Sequence, residues 1–409
     1  MSSLVFESFT FANGQTIKNR IVKAAMEENL GAEGNIPGGQ LFTLYQNWAQ
    51  GGAGLLITGN VMVDQLAMTG PGGVALEAET ELLPFAEWAR AAKENDTKVW
   101  MQINHPGRQV YKMLKGRAWA PSAVALDLGP HSKLFAEPRA MTEADINEVI
   151  DRFVKTAERA KEAGFDGVQI HAAHGYLLSQ FLSPRVNQRT DEWGGSLENR
   201  ARLLLAIVRH VVALRDESFA VSVKINSADF QRGGFDIDDA KQVVKWLEEI
   251  GIDLIEMSGG TYEAPAMQRR TADDRTLSRE AYFLEFAAQV AAETELAVMT
   301  TGGIKRLEVA EQVLSSGVDL VGIASALAFE PDLPNQWQTN PAAVANVQTA
   351  DWNNKTLASL CNMALAKRQM RRYSNGEQGN IELSPVVTLL LNQWRMKRMA
   401  KQYNALIGG

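Results

Sequence analysis

Two of the five histidines in the chain, His171 and His174, stand three residues apart, and Tyr176 follows two residues later. They come directly after the apolar run GVQI (167–170), where a strand is expected to end. A pair of neutral imidazoles can donate hydrogen bonds to an oxyanion as it develops, and a nearby phenol can deliver a proton. Two other readings fit the same residues. A His-x-x-His pair with Glu27 or Glu28 could hold zinc if a further ligand converged on it. Histidines can also simply be hydrogen-bonded into a loop.

Short β-branched runs alternate with amphipathic helical stretches along the chain. The expected strands are 21–26, 54–63, 98–104, 167–172, 220–226, 254–260, 297–303 and 320–325, several of them nearly continuous apolar runs. Such runs suit parallel strands covered on both faces. Helical patterns lie between them, for example 79–96 and 142–164. The second opens on Thr142 with Asp145 three residues on, close to a capping box, and stops at Gly164. Eight strands with intervening helices predict an α/β fold, a (β/α)8 TIM barrel. A doubly wound sheet is the alternative, but the first strand is not followed by GxGxxG. Ahead of the barrel, 9–17 reads as a β-hairpin with a type I′ turn at Asn13-Gly14, lying as a lid across the barrel bottom. The domain expectation is a barrel over 1–339 and a helical, basic extension over 340–409. The extension has two helices, 356–372 and about 385–402. Its cations (Lys367, Arg368, Arg371, Arg372, Arg395, Lys397, Arg398, Lys401) suit docking on an acidic barrel face or a sister subunit, and otherwise an anionic membrane or a partner.

Composition narrows the function. The chain has 409 residues and a net charge of −7, which argues against nucleic acid as the main partner. Its one cysteine, Cys361, excludes a disulfide framework and a four-cysteine iron–sulfur or zinc site. No export signal and no apolar run of about 20 residues is visible, so a cytoplasmic protein without a membrane span is expected. In a TIM barrel the active site forms at the C-terminal strand ends. That rule gathers Met26 and Glu27, Asn60, Gln102, the His/His/Tyr group, Lys224, Gly302-Gly303 and Ala324-Ser325. The paired glycines between the seventh strand and its helix suit a phosphate held by backbone N–H groups.

At these residues the sequence resembles the Old Yellow Enzyme family of FMN-dependent ene-reductases, in the branch near the barrel domain of bacterial 2,4-dienoyl-CoA reductase. The segment IHAAHGYLLSQFLSPRVNQRTDEWGGSLENR (170–200) follows the family signature, with Trp193 where a tyrosine is usual. Further matches are KNRIVKAAM (18–26), GGAGLLITG (51–59), MQINHPGRQ (101–109), PRAMTEADI (138–146) and TTGGI (300–304). The resemblance implies non-covalent FMN held by Ala24, Ala25, Met26, Glu27 and Asn60, with Gln102 on the flavin pyrimidine edge. Lys224 would be the cation near flavin N1, Gly302 and Gly303 would hold the phosphate, and Ala324 and Ser325 would flank it. It further implies that His171 and His174 grip a substrate carbonyl or nitro oxygen. Hydride would leave flavin N5, Tyr176 would protonate the α carbon, and NADH or NADPH would re-reduce the flavin.

Three departures stand out. Glu27 replaces a threonine or cysteine. Ser325 replaces a phosphate-binding arginine, leaving Lys305, Arg306 or backbone alone. The iron–sulfur and second-flavin modules of dienoyl-CoA reductases are absent. His105 and Arg108 are expected to satisfy loop carbonyls, and Asn187, Arg189, Asp191, Asn199 and Arg200 to frame the histidine segment. The expected activity is NAD(P)H-dependent reduction of α,β-unsaturated carbonyl or related nitro compounds. The alternatives are a flavin-binding barrel with little ene-reductase activity and a flavin-free lyase. A homo-oligomer through the C-terminal helices is expected as a partner state. The outer pocket is expected to lie in loops such as 105–141 and 261–277.

Overall fold

The structure is a computed structural model and describes residues 3–264 and 280–408. The part of loop 261–277 beyond residue 264 lies outside the described residues. Eight parallel strands close into a barrel: β1 Ile21–Lys23, β2 Leu55–Ile57, β3 Lys98–Asn104, β4 Gly167–Ala172, β5 Ala220–Asn226, β6 Leu254–Ser258, β7 Ala297–Thr301 and β8 Leu320–Ile323. Each pairs with its sequence neighbour, β8 pairs with β1, and no edge is left. Helices cover the outside: α1 Gly39–Gln50, α2 Leu83–Ala92, α3 Glu143–Glu162, α4 Leu197–Val212, α5 Ile237–Ile250, α6 Leu284–Ala291, α7 Leu307–Ser315 and α8 Leu333–Thr339. The fold is the expected (β/α)8 barrel. The capping box of α3 is present, with Thr142 and Asp145 each accepting the other's backbone N–H.

Five strands stop short of their expected ends: β6, β7 and β8 each end two residues early, and the first two differ more. β1 stops at Lys23, three residues before Met26. The run 54–63 divides into β2 and a separate pair, Val61–Met62. The break falls where the Gly59 N–H leaves the ladder for Glu28 Oε1 (3.1 Å) and Tyr45 Oη (3.0 Å).

The lumen is layered by the period of two along each strand. Low in the barrel, Val22, Leu55, Ile57, Trp100, Ala220, Leu254, Met299 and Leu320 form an apolar plug. One turn of the pleat higher, the inward positions become Gln102, Gln169, Lys224, Glu256 and Thr301. The hairpin Phe9–Thr10/Thr16–Ile17 seals the bottom, with Phe11 packed on Trp100 at 4.9 Å and the Trp100 indole N–H donating to Gln15 Oε1 (2.8 Å). Its turn is not type I′, which needs positive φ at both central residues. Only Gly14 is left-handed (φ 92°), and the Gly14 N–H closes on Phe11 O (2.9 Å), a glycine bulge. Asn13 is instead anchored by tertiary bonds, its N–H to Asp253 Oδ1 (3.0 Å) and its amide to Asp216 O (2.8 Å).

The C-terminal extension is two helices, α9 Lys355–Ser374 and α10 Pro385–Ile407, the second running five residues beyond its expected end. They dock on the loops at the C-terminal end of the barrel. Lys367 pairs with Glu27 (2.7 Å), Arg395 donates to Asn29 O (3.0 Å), and Tyr403 donates to Gln65 O (2.8 Å). The outer face of α10 exposes Val386, Leu390, Leu391 and Trp394. Among the described residues no helix is long and apolar enough to cross a membrane.

Asp253, 1% exposed, ties the bottom together by accepting from Asn13 N, Val221 N (2.9 Å) and the Arg215 guanidinium (2.8 Å). Asp253→Ala strands these donors and is expected to cost about 3 kcal/mol of stability. Urea unfolding checks this, and a midpoint unchanged from the parent would remove the anchor from the account.

Candidate active site

The histidine segment is shaped by two consecutive left-handed residues after β4, His174 (φ 61°) and Gly175 (φ 72°). A histidine at positive φ is strained unless its surroundings hold it there. Here the His174 N–H is taken by Asn226 Oδ1 (3.0 Å), the Gly175 N–H by Ser179 Oγ (3.2 Å), and Gly175 O by the Gln180 amide (2.7 Å). Tyr176 then starts the short helix Leu177–Leu182. The turn brings the three side chains together: the His171 ring centre lies 5.0 Å from His174 and 4.9 Å from Tyr176, both edge-on.

Their protonation states follow from burial. Both imidazoles are held well below the usual histidine value, first by desolvation, then by His174 and Lys224 for His171 and by Lys224 for His174. Both are therefore neutral at pH 7. His171 Nδ1 accepts the Ala173 N–H (3.2 Å), which leaves its proton on Nε2. His174 Nε2 meets Ser258 Oγ at 2.8 Å. His174 carries its proton on Nδ1 when Ser258 donates and on Nε2 when Ser258 accepts, and in the first arrangement each ring keeps one donor to offer. The Tyr176 phenol is pushed upward by burial and then by the Glu27 charge, so it remains a proton carrier. Its hydroxyl lies 3.2 Å from that of Tyr262, a half-buried phenol just beyond β6 that the sequence placed only in a loop.

Beneath this group runs the polar lumen layer. Gln102 donates to Gln169 (2.7 Å) and Gln169 to Glu256 Oε2 (2.9 Å), while Glu256 Oε1 accepts from Thr301 (2.8 Å) and pairs with Lys224 (2.8 Å). Lys224 and Glu256 are register partners on β5 and β6 and are both buried. The isolated cation expected at 224 is thus compensated by a carboxylate. Glu256 and Gln169 were missed in the sequence. Their signal was a polar residue at every second position of strands that otherwise read as apolar.

The remaining expected cofactor residues also gather at this end of the barrel. Ala24, Ala25 and Met26 follow β1, Asn60 follows β2, and Ala324 and Ser325 follow β8. Gly303 is left-handed (φ 74°), and among the described residues no carbonyl or carboxylate takes its N–H. A strand–Gly-Gly–helix turn suits an anion, and here the Tyr282 ring and hydroxyl lie against both glycines, so a phosphate held by these N–H groups would displace or share the turn with Tyr282. Gln102 and Lys224 supply donors for the edge of a flat heterocycle. The residues present therefore fit FMN, with two qualifications of chemistry. Arg306 is engaged by Glu280 (2.8 Å), which leaves backbone and Lys305 to meet a phosphate near Ser325. Glu27 is turned to Thr69 (2.5 Å) and Lys367, and despite burial its pKa is lowered, chiefly by Lys367, so it is a compensated carboxylate.

The surrounding frame is as expected except at His105, which accepts an N–H rather than meeting a carbonyl and whose Nε2 has no partner among the described residues. Arg108 donates to Val124 O and Ala125 O and pairs with Glu263 (2.7 Å), while His105 Nδ1 accepts the Gly107 N–H (3.0 Å). Asn187 bridges Phe181 O and Trp193 O, Arg189 pairs with Asp191, Asn199 donates to Gly194 O, and Arg200 holds Leu182 O. Glu28 is committed to Tyr45 and Lys23, and among the described residues no cluster of three or more His, Cys, Asp or Glu could hold a metal.

Comparison with known proteins agrees with this geometry. Residues 4–342 match the family described as NADH:flavin oxidoreductase / NADH oxidase. The chain is 35% identical to the NADH-dependent flavin oxidoreductase iliE of Hypocrea jecorina (strain QM6a), over 80% of this chain and 86% of that protein. It is 33% identical to the NADPH dehydrogenase of Bacillus subtilis (strain 168), over 81% of this chain and 93% of that protein. The solved Old Yellow Enzyme homologue from Zymomonas mobilis superposes with a TM-score of 0.71 at 25% identity, covering 85% of this chain and 95% of that one.

Protonation of the buried imidazoles links the site to stability. His105, held down to about 4 by burial, joins His171 and His174. Their folded pKa values lie below the unfolded 6.5, so the unfolded chain takes up protons first as pH falls. Each then costs about 1.4 kcal/mol of stability at pH 5.5, a loss absent above pH 7. Denaturant unfolding at pH 7.5 and 5.5 is expected to show this slope, and a His171→Asn/His174→Asn protein a shallower one. Equal slopes would mean that the two rings titrate normally.

Proposed function

The chain belongs to the NADH:flavin oxidoreductase / NADH oxidase family, and from that membership we propose an FMN-dependent, NAD(P)H-driven reductase of carbon–carbon double bonds activated by a carbonyl or nitro group. The observation that carries this reading is the convergence of two neutral imidazole donors and a protonated phenol at the strand ends. FMN, when bound, supplies the two-electron chemistry, accepting hydride from NADH or NADPH and passing it to the β carbon.

The protein's own part is electrostatic. His171 Nε2–H and His174 Nδ1–H hold the substrate oxygen on which negative charge builds. Removing one such donor typically costs about 3–4 kcal/mol of barrier, a factor of hundreds in rate. Both rings are uncharged before the reaction, so they polarise the substrate without placing a full cation in a desolvated site. Tyr176 keeps its proton until the α carbon becomes basic, and the Tyr262 hydroxyl behind it is positioned to return one. The backbone at Gly302-Gly303 and the side chains of Gln102 and Lys224 are the groups that would seat the phosphate and ring of the cofactor.

A flavin-binding role with little ene-reductase activity is favoured by two features, Ser325 in place of a basic residue and the compensation of Lys224 by Glu256. The purified protein separates the two readings: a yellow protein bleached by NADH or NADPH supports reduction, and one indifferent to both supports binding alone.

His171→Ala/His174→Ala is expected to retain FMN and lose enone turnover by at least a hundredfold. Tyr176→Phe is expected to slow reoxidation of the reduced enzyme by enone while flavin reduction by nucleotide keeps its rate. Stopped-flow traces at the flavin absorbance band separate these half-reactions, and a double variant that turns over normally would overturn the assignment.

A further inference from the structure

A cavity of about 390 Å³ opens outside the catalytic tyrosine, between the 105–141 loop, the start of the loop after β6, and helix α9. That volume lies in the range that accepts a small organic ligand. Thr356, Ser359, Leu360 and Met363 recur at helical spacing along α9 and present one face to the cavity. One turn further on, Lys367 reaches Glu27, and Tyr373 donates to Phe329 O (2.6 Å), so the helix is fixed at this height. The family match ends at residue 342, before α9 begins.

The cavity leads to the chemistry through a chain of rings. Tyr111 stacks on Phe135 (4.8 Å), Phe135 meets Tyr262 (6.1 Å), Tyr262 meets Tyr176 (6.0 Å), and Tyr176 meets His171 (4.9 Å). Flat, mostly apolar walls of this kind suit a planar or ring-bearing body. The acidic side chains on the cavity are Asp127 and Glu263, the latter paired with Arg108, and His131 also lines it. Among its described lining residues there is no lysine or arginine to receive an anion.

We propose that α9 is the outer wall of the substrate pocket and selects uncharged, ring-bearing unsaturated carbonyl compounds over anionic ones such as carboxylates and phosphate-bearing thioesters. This rests on the ene-reductase reading above. The probes are benzylideneacetone, which is neutral and carries a phenyl ring, cinnamate, which has the same body as an anion, and 2-cyclohexenone as a small enone. The holoenzyme is expected to bind benzylideneacetone at least tenfold more tightly than cinnamate by calorimetry. Met363→Trp, which fills the cavity, should lower the ratio of kcat/KM for benzylideneacetone to that for 2-cyclohexenone at least tenfold. Leu360→Ala, which enlarges it, should move the ratio by less than threefold. Asp127→Lys should tighten cinnamate at least fivefold. Unchanged ratios and affinities in variants that still reduce 2-cyclohexenone would overturn the role of α9 alone. A parent enzyme that reduces neither enone would overturn the reading beneath it.

Discussion

The site depends on keeping a buried carboxylate satisfied inside the barrel. Glu256 has no solvent contact, and its two oxygens are satisfied by Lys224, Gln169 and Thr301, which all donate to it. The strand register delivers these donors. β5 and β6 align Lys224 with Glu256, and the pleat turns both inward one step above the apolar plug. A slip of one residue in either strand would turn that layer outward and leave its charges without partners.

Desolvation has opposite uses within a few ångströms. For the imidazoles it removes charge and leaves two donors whose positive character is felt only where an oxyanion forms. For Tyr176 it holds the proton on oxygen. For Glu27, by contrast, the Lys367 ammonium outweighs burial and the carboxylate remains ionised. One environment therefore produces neutral bases, a protonated acid and a compensated ion pair, according to which partner each group finds.

Much of this was legible from residues alone. Seven strands began where their apolar runs did: Lys98–Asn104, Gly167–Ala172 and Ala220–Asn226 matched throughout, and β1, β6, β7 and β8 began as expected. The turn HAAHGY was singled out through residue type and spacing, and its three side chains do meet in the fold. Partners that meet only through closure of the sheet were less visible. Glu256 lies 32 residues from Lys224 in sequence, and nothing local marks it as that residue's partner. Gly59 leaves its ladder because of Glu28 and Tyr45, which no local pattern encodes. The turn at Asn13 took a different form for a similar reason, since its anchor is Asp253 on the far side of the barrel bottom. Tyr262 could have been singled out as an aromatic residue placed just past a strand end.

The pairing of Glu27 with Lys367 spans 340 positions of the chain. During synthesis, which runs from the N-terminus, all eight barrel strands have been made by Ile323, while α9 has still to be translated. The nascent barrel therefore stands for a time with its catalytic rim uncovered and Glu27 lacking its counter-ion. Completion of the rim waits for the synthesis of α9, so ribosomal stalling between residue 340 and Lys367 would leave a closed barrel with an unfinished mouth.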